Sequence, residues 1–253
     1  MKLFRSSEGR VGLIDEIRGF AILCMVFYHA GFDLVFLFGV SMPFFTSDPM
    51  NFIRDCFIGL FVLISGVAAV YSKNNLKRGL IVLGCGLILT AGTFLFMYSA
   101  RILFGVLHML GSCMILYALL APLLKKCPAL PGGIVSLFLF LLTLGLPSGV
   151  LGIPGFLEYP LPAELYSTTF LFPIGFPHET FFSGDYMPIF PWFFLFVTGT
   201  FIGRPIKAGR FPGWVYKTHI PPLAAIGRNT IWIYLLHQPV IYGLLWVIFA
   251  LIP

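Results

Sequence analysis

Apolar runs long enough, or nearly so, to cross a bilayer recur along the whole chain, at about 17–39, 52–71, 79–98, 102–124, 131–147, 188–203 and 223–250. The fifth and sixth are short. The seventh can begin nearer 230, with AIGRNT as an amphipathic lead-in. One soluble core cannot hold seven such helices. Apolar residues make up 58% of the chain and charged residues 10%, where a soluble domain carries roughly 25% charge. The expected fold is therefore an all-α integral membrane protein, a polytopic helix bundle over 1–253 as one domain. It has about seven spanning helices, rising to eight or nine if further segments cross.

Charge placement sets the expected topology. With the N-terminus inside, the inside segments hold fourteen of the sixteen lysines and arginines: Lys2, Arg5, Arg10, Arg18, Lys73, Lys77, Arg78, Lys125, Lys126, Arg204, Lys207, Arg210, Lys217 and Arg228. Only Arg54 and Arg101 fall outside. That bias predicts a cytoplasmic N-terminus and an odd number of spans. The net charge of +6 does not point to nucleic acid, because no soluble basic domain is present to bind it. Residues 1–16 are polar, and the first apolar run lacks a small-residue cleavage site, so no cleavable signal peptide is expected. Cys24, Cys56, Cys85, Cys113 and Cys127 form no CxxC and no Cys/His cluster, and read as small apolar fillers. HExxH, GxxxxGK[ST] and GxGxxG are absent, so no metal and no phosphate-loop nucleotide site is expected. The segment 148–187 carries Glu158, Glu164, Glu179 and Asp185, no basic residue, and several prolines. It reads as a long acidic extracytoplasmic loop whose STTFLFPIGF stretch could dip back into the membrane.

The first apolar run keeps its charges in register: DEIRGFAILCMVFYHAGFD, Asp15 to Asp33. At about 100° and 1.5 Å per residue, Arg18 and His29 differ by about 20° around the axis and lie roughly 16 Å apart along it. Asp15 and Asp33 fall within about 60° of the same stripe, whereas Glu16 points almost the opposite way. Polar groups in hydrocarbon are costly and usually functional, so this stripe reads as a polar seam facing the bundle interior. Asp33 could accept from a His29 ring nitrogen and fix its tautomer. The plainer reading is that Arg18 snorkels and His29 bonds a neighbouring helix. His108 in RILFGVLHMLGS, seven residues past Arg101, and His237 in IWIYLLHQPV fall at comparable depth, suggesting one polar cavity; each alone could equally be a hydrogen-bonded packing histidine. Pro239 cannot donate to the Leu235 carbonyl, so a kink is expected there.

The opening stretch, with its arginine, ten residues and histidine, resembles the first-helix signature of transmembrane acyltransferases. Four further stretches follow in order: FIGLFVLISGVAAVY, RILFGVLHMLGS, SGDYMPIFPWFFLFVTGTFIG and IGRNTIWIYLLHQPV. Together they resemble the heparan-α-glucosaminide N-acetyltransferase catalytic-domain-like family, related to the acyltransferase-3 proteins. The resemblance implies a multi-pass acyltransferase in a bacterial cell membrane. It would take an acyl group, acetyl by preference, from cytoplasmic acyl-CoA as co-substrate and pass it to a hydroxyl or amine of an extracytoplasmic glycan or envelope acceptor. The lipid bilayer is its surroundings, and a homo-oligomer is compatible with it.

The expected chemistry needs a base for the acceptor proton and a donor for the developing oxyanion. His29 is the expected base or acyl carrier, with Asp33, His108 and His237 completing the catalytic set. Arg18, Asp15, Ser65, Arg228 and Asn229 are the candidates for binding acyl-CoA, and Arg54, Arg101, Asp185 and Trp192 for binding the acceptor. Asp185 could instead cap the helix it precedes. The alternative class is a proton-coupled small-solute transporter using the intramembrane His/Asp/Arg cavity; a structural membrane partner is the third, and would not need aligned polar residues.

Overall fold

The computed structural model describes residues 11–251. Lys2, Arg5 and Arg10, which entered the charge count, and the start of the polar N-terminal segment lie outside the described residues. Eight α-helices form among the described residues: α1 Gly12–Phe32, α2 Asp48–Ala69, α3 Asn75–Phe96, α4 Val106–Leu124, α5 Ala129–Leu142, α6 Trp192–Lys207, α7 Pro221–Arg228 and α8 Thr230–Leu251. Six segments are long and apolar enough to cross a membrane: Gly12–Leu37, Asp48–Ala69, Asn75–Phe96, Val106–Leu124, Ala129–Ser148 and Thr230–Leu251. The protein is an all-α polytopic membrane protein. The expected sixth span begins later than its apolar run, at Trp192, because Pro188 and Pro191 cannot supply helical N–H groups; at 16 residues it is shorter than the six. The expected seventh divides into α7 and α8.

The chain forms two compact units, one built from residues up to Ile64 together with Arg210 onward, the other from Ser65–Gly209. In the first, α1 packs on α7 and α8. The α1–α7 crossing is backbone on backbone: a Cβ on Gly19 would overlap the Leu223 carbonyl, and one on Gly227 the Asp15 carbonyl. Without a hydrophobic effect between helices in lipid, such small-residue contacts carry the association. Glu16, buried at 5% exposure, accepts from the backbone N–H of His219 and, at 2.6 Å, of Ile220. These amides open α7, whose Pro221 and Pro222 need no partner of their own. The residue on the far side of the α1 stripe is thus the cap of a neighbouring helix.

In the second unit, α3 packs on α4 and α5 on α6. Gly79 and Gly111 bring α3 and α4 into close approach, and Ser136 and Thr198 share a hydroxyl hydrogen bond of 2.9 Å between α5 and α6. The acidic loop is ordered rather than structureless. It contains an antiparallel hairpin, β1 Val150–Ile153 and β2 Leu157–Pro160, with Leu151 opposite Tyr159 and Gly152 opposite Glu158. Tyr166 donates to the Leu146 carbonyl and Tyr186 to that of Phe172, at 2.5 and 2.6 Å. Burial pushes both phenols up, so they stay protonated and keep donating. The Phe172 ring stacks on Phe181 at 4.7 Å.

Candidate active site

The first unit brings His29 and His237 together, from α1 and α8. Their ring centroids lie 5.0 Å apart. The His237 Nδ1 lies 2.6 Å from the Tyr234 carbonyl oxygen. A carbonyl only accepts, so Nδ1 carries the proton and donates. In the neutral ring this leaves the lone pair on Nε2, and Nε2 is buried with no hydrogen-bond partner among the described residues. His29 is half-buried, and its ring makes contact with Tyr28 and His237 but no hydrogen bond among the described residues.

Directly beyond His29, α1 changes pitch. Asp33–Leu37 form a π-helical turn, a widening frequently found at functional sites. Asp33 opens that turn with its side chain fully buried. Its partner differs from the expected His29: Oδ1 accepts at 2.7 Å from the side-chain amide of Gln238, next to His237 on α8. The reason is geometric, since one turn of α1 carries Asp33 past the His29 ring and against α8. The second carboxylate oxygen of Asp33 and the Gln238 amide oxygen are both buried and without a hydrogen-bond partner among the described residues. Gln238 was not among the residues expected from sequence; its signal was an amide beside a histidine inside an apolar run. The unit therefore holds three unmatched buried acceptors, one on Asp33, one on Gln238 and one on His237. Buried acceptors left without donors cost about 1–3 kcal/mol each, so this set calls for a ligand or waters that bring O–H or N–H groups.

Arg18 forms an ion pair with Asp15, one turn before it on α1, with 19% of its side chain exposed. Arg54 donates to Asp55 at 2.8 Å and lies 5.9 Å from the Tyr28 ring. Arg228 is exposed at the end of α7. Asn229 ends α7 as its C-cap and donates its side-chain amide to the Ala225 carbonyl at 2.9 Å.

Ser65, Arg101, His108, Asp185 and Trp192 belong to the second unit. His108 spends both ring nitrogens there: Nδ1 accepts from the Gly105 amide at 3.2 Å and Nε2 meets the Thr90 hydroxyl at 3.1 Å. The amide forces Nδ1 to be the acceptor, so Nε2–H donates to Thr90. This ring closes the start of α4 and ties α4 to α3. Asp185 also serves α4, accepting from the Val106 amide at 3.1 Å, where the helix dipole favours a carboxylate. It caps α4 rather than the helix it precedes. Arg101 lies over the rings of Tyr98 and Phe182, at 4.6 and 5.3 Å. Trp192 packs on Phe140, centroids 5.7 Å apart, and Ser65 is buried.

No curated protein and no solved structure matches the chain. A family model does, that of the heparan-alpha-glucosaminide N-acetyltransferase catalytic domain, over residues 10–239. That match covers most of the chain and all four groups just described, His29, Asp33, His237 and Gln238. The chain belongs to the heparan-alpha-glucosaminide N-acetyltransferase catalytic family, a family of membrane acetyltransferases.

Proposed function

We propose that the protein transfers an acyl group, acetyl by preference, from acyl-CoA at the cytoplasmic face to a hydroxyl or amine of a glycan or other envelope acceptor at the opposite face. The observation that carries this reading is the group of three unmatched buried acceptors beside a histidine pair. An acceptor molecule rich in O–H or N–H groups supplies the missing donors. Family membership supplies the reaction class, and acyl-CoA is the ordinary donor for it.

In this reading His237 is the base. As the acceptor oxygen or nitrogen attacks the thioester carbonyl carbon, its proton passes to Nε2 of His237. The Tyr234 carbonyl holds Nδ1–H and stabilises the imidazolium that forms. The carbonyl electron pair moves onto oxygen, where an N–H of His29 meets it. Collapse breaks the C–S bond, and the leaving CoA sulfur takes the proton back from His237. Asp33 and Gln238 hold the acceptor. Arg18 contacts the donor only by exchanging its Asp15 partner.

The test is transfer of labelled acetyl from acetyl-CoA to envelope material in inverted membrane vesicles, wild type against His237→Ala. Transfer by the wild type and a loss of roughly 100-fold or more in a stably inserted variant is expected, the range for removal of a general base. Transfer unchanged by the substitution removes His237 from the chemistry. Absence of transfer by the wild type, with a proton or solute flux that needs His29 and His237, would replace the reading with a transporter.

A further inference from the structure

The second unit contains a cavity of about 470 Å³ that the proposed chemistry does not use. Its wall is made where α2, α4 and α6 end and α3 begins. Lys73, Lys125, Arg204 and Lys207 line it, and no aspartate or glutamate does. Two of the four cations are engaged with backbone. Arg204 donates to the carbonyls of Leu124 and Cys127 at 2.9 and 3.0 Å, and Lys207 to that of Val70 at 2.7 Å. They offset the negative ends of α4 and α2. The Lys73 and Lys125 side chains are exposed, and their ammonium groups form no hydrogen bond or ion pair among the described residues. Ser72, also in the wall, has a buried hydroxyl without a partner among the described residues. The first residues of α3, Asn75 and Leu76, face the same space, and Asn74 caps that helix through the Lys77 amide at 2.9 Å. The Asn75 amide donates to the Ala69 carbonyl at 2.9 Å, and its buried oxygen, without a partner among the described residues, is left to accept from a ligand hydroxyl. A helix start, an unmatched hydroxyl donor and two uncommitted ammonium groups around a cavity without any acid fit the chemistry of a phosphate, and the Asn75 oxygen that of a hydroxyl beside it.

We propose that this cavity binds the phosphate group of an anionic ligand, with Lys73 and Lys125 as its charge partners and Ser72 as a hydroxyl donor. Two sources offer that chemistry at a basic membrane face: a soluble nucleotide phosphate or the headgroup of an anionic phospholipid. The proposal does not depend on acyl transfer, and its test reads binding alone.

The experiment uses the full chain purified in a neutral maltoside detergent. One arm titrates adenosine 3′,5′-bisphosphate. The other reconstitutes the chain into nanodiscs of phosphatidylcholine with phosphatidylglycerol and measures, by native mass spectrometry, the phosphatidylglycerol retained. Lys73→Ala/Lys125→Ala is compared with wild type and with Lys77→Ala, an exposed lysine outside the cavity, all matched for melting temperature. Saturable binding of the bisphosphate, weakened by roughly tenfold for each lysine removed and unchanged in Lys77→Ala, supports the site with a nucleotide source. Bisphosphate indifference with phosphatidylglycerol retained by wild type and lost from the double variant supports it with a lipid source. Binding of neither probe, or equal binding by the double variant, overturns it.

Discussion

At the scale of single residues, His237 and Asp33 are each satisfied at one atom and open at another. His237 is fixed at one nitrogen by the Tyr234 carbonyl and open at the other. Asp33 is held at one oxygen by Gln238 and open at the other. Removing the Asp33 side chain strands the Gln238 amide, at a cost of about 1–3 kcal/mol. Asp33→Ala should therefore lower the melting temperature and raise KM for the acceptor while leaving KM for acyl-CoA unchanged. Asp33→Asn keeps an oxygen for Gln238 and should recover the melting temperature. Equal KM values for both substrates in wild type and Asp33→Ala would take Asp33 out of acceptor binding. The stripe of Asp15, Arg18, His29 and Asp33 was legible in helical periodicity. The partners were not, because periodicity gives an azimuth on one helix and says nothing of which neighbour faces it. Arg18 pairs within the stripe, with Asp15, whereas Asp33 crosses to Gln238 of α8.

At the scale of elements, two acidic side chains and a histidine serve helix ends. Glu16 caps the start of α7, and Asp185 with His108 closes the start of α4. The segment carrying Asp185 is pinned to the loop leading into α4: Leu103 donates to the Ser183 hydroxyl at 3.0 Å, and Met187 to the Phe104 carbonyl at 2.9 Å. A Cβ on Gly105 would come within 2.5 Å of the Asp185 carboxylate, so only glycine leaves room for this cap. Asp185→Ala should cost about 1 kcal/mol through the lost cap, read as a lower melting temperature, with KM for the acceptor unchanged. A raised KM at unchanged melting temperature would return Asp185 to the acceptor site. Five of the long helices were readable from apolar length alone. The break between α7 and α8 was readable from the polar AIGRNT. The hairpin β1–β2 was not, since four-residue strands inside a proline-rich loop carry too short a period to detect.

At the scale of the whole molecule, the bias of basic residues is the main constraint on sidedness. Lys73, Lys125, Arg204 and Lys207, far apart in sequence, line one cavity, as expected if their segments share one face of the membrane. By the positive-inside rule that face is expected to be the cytoplasmic one. Single cysteines placed at Lys73 and at Glu158 in a cysteine-free background should separate in intact spheroplasts. An impermeant maleimide should label position 158 and label position 73 only after the membrane is opened. The reverse pattern would invert the topology, and with it the direction of transfer. Residues 10–239 match the family model, in agreement with five motif-like stretches read in order. The cluster of His29, Asp33, His237 and Gln238 was less legible, because no single stretch encodes it: it is assembled from α1, the turn that follows it and α8, with Asp33 and Gln238 more than two hundred positions apart in the chain.

In the proposed mechanism His29 and His237 act as one catalytic unit, the first on the oxyanion and the second on the acceptor proton. This coupling is tested most directly by a double-mutant cycle on kcat for acetyl transfer with His29→Gln, His237→Gln and both together. Each single variant should lose roughly 100-fold or more, and the double variant should lose little beyond the worse single, as groups acting together do. Losses that multiply, or a single variant at wild-type rate, would contradict it.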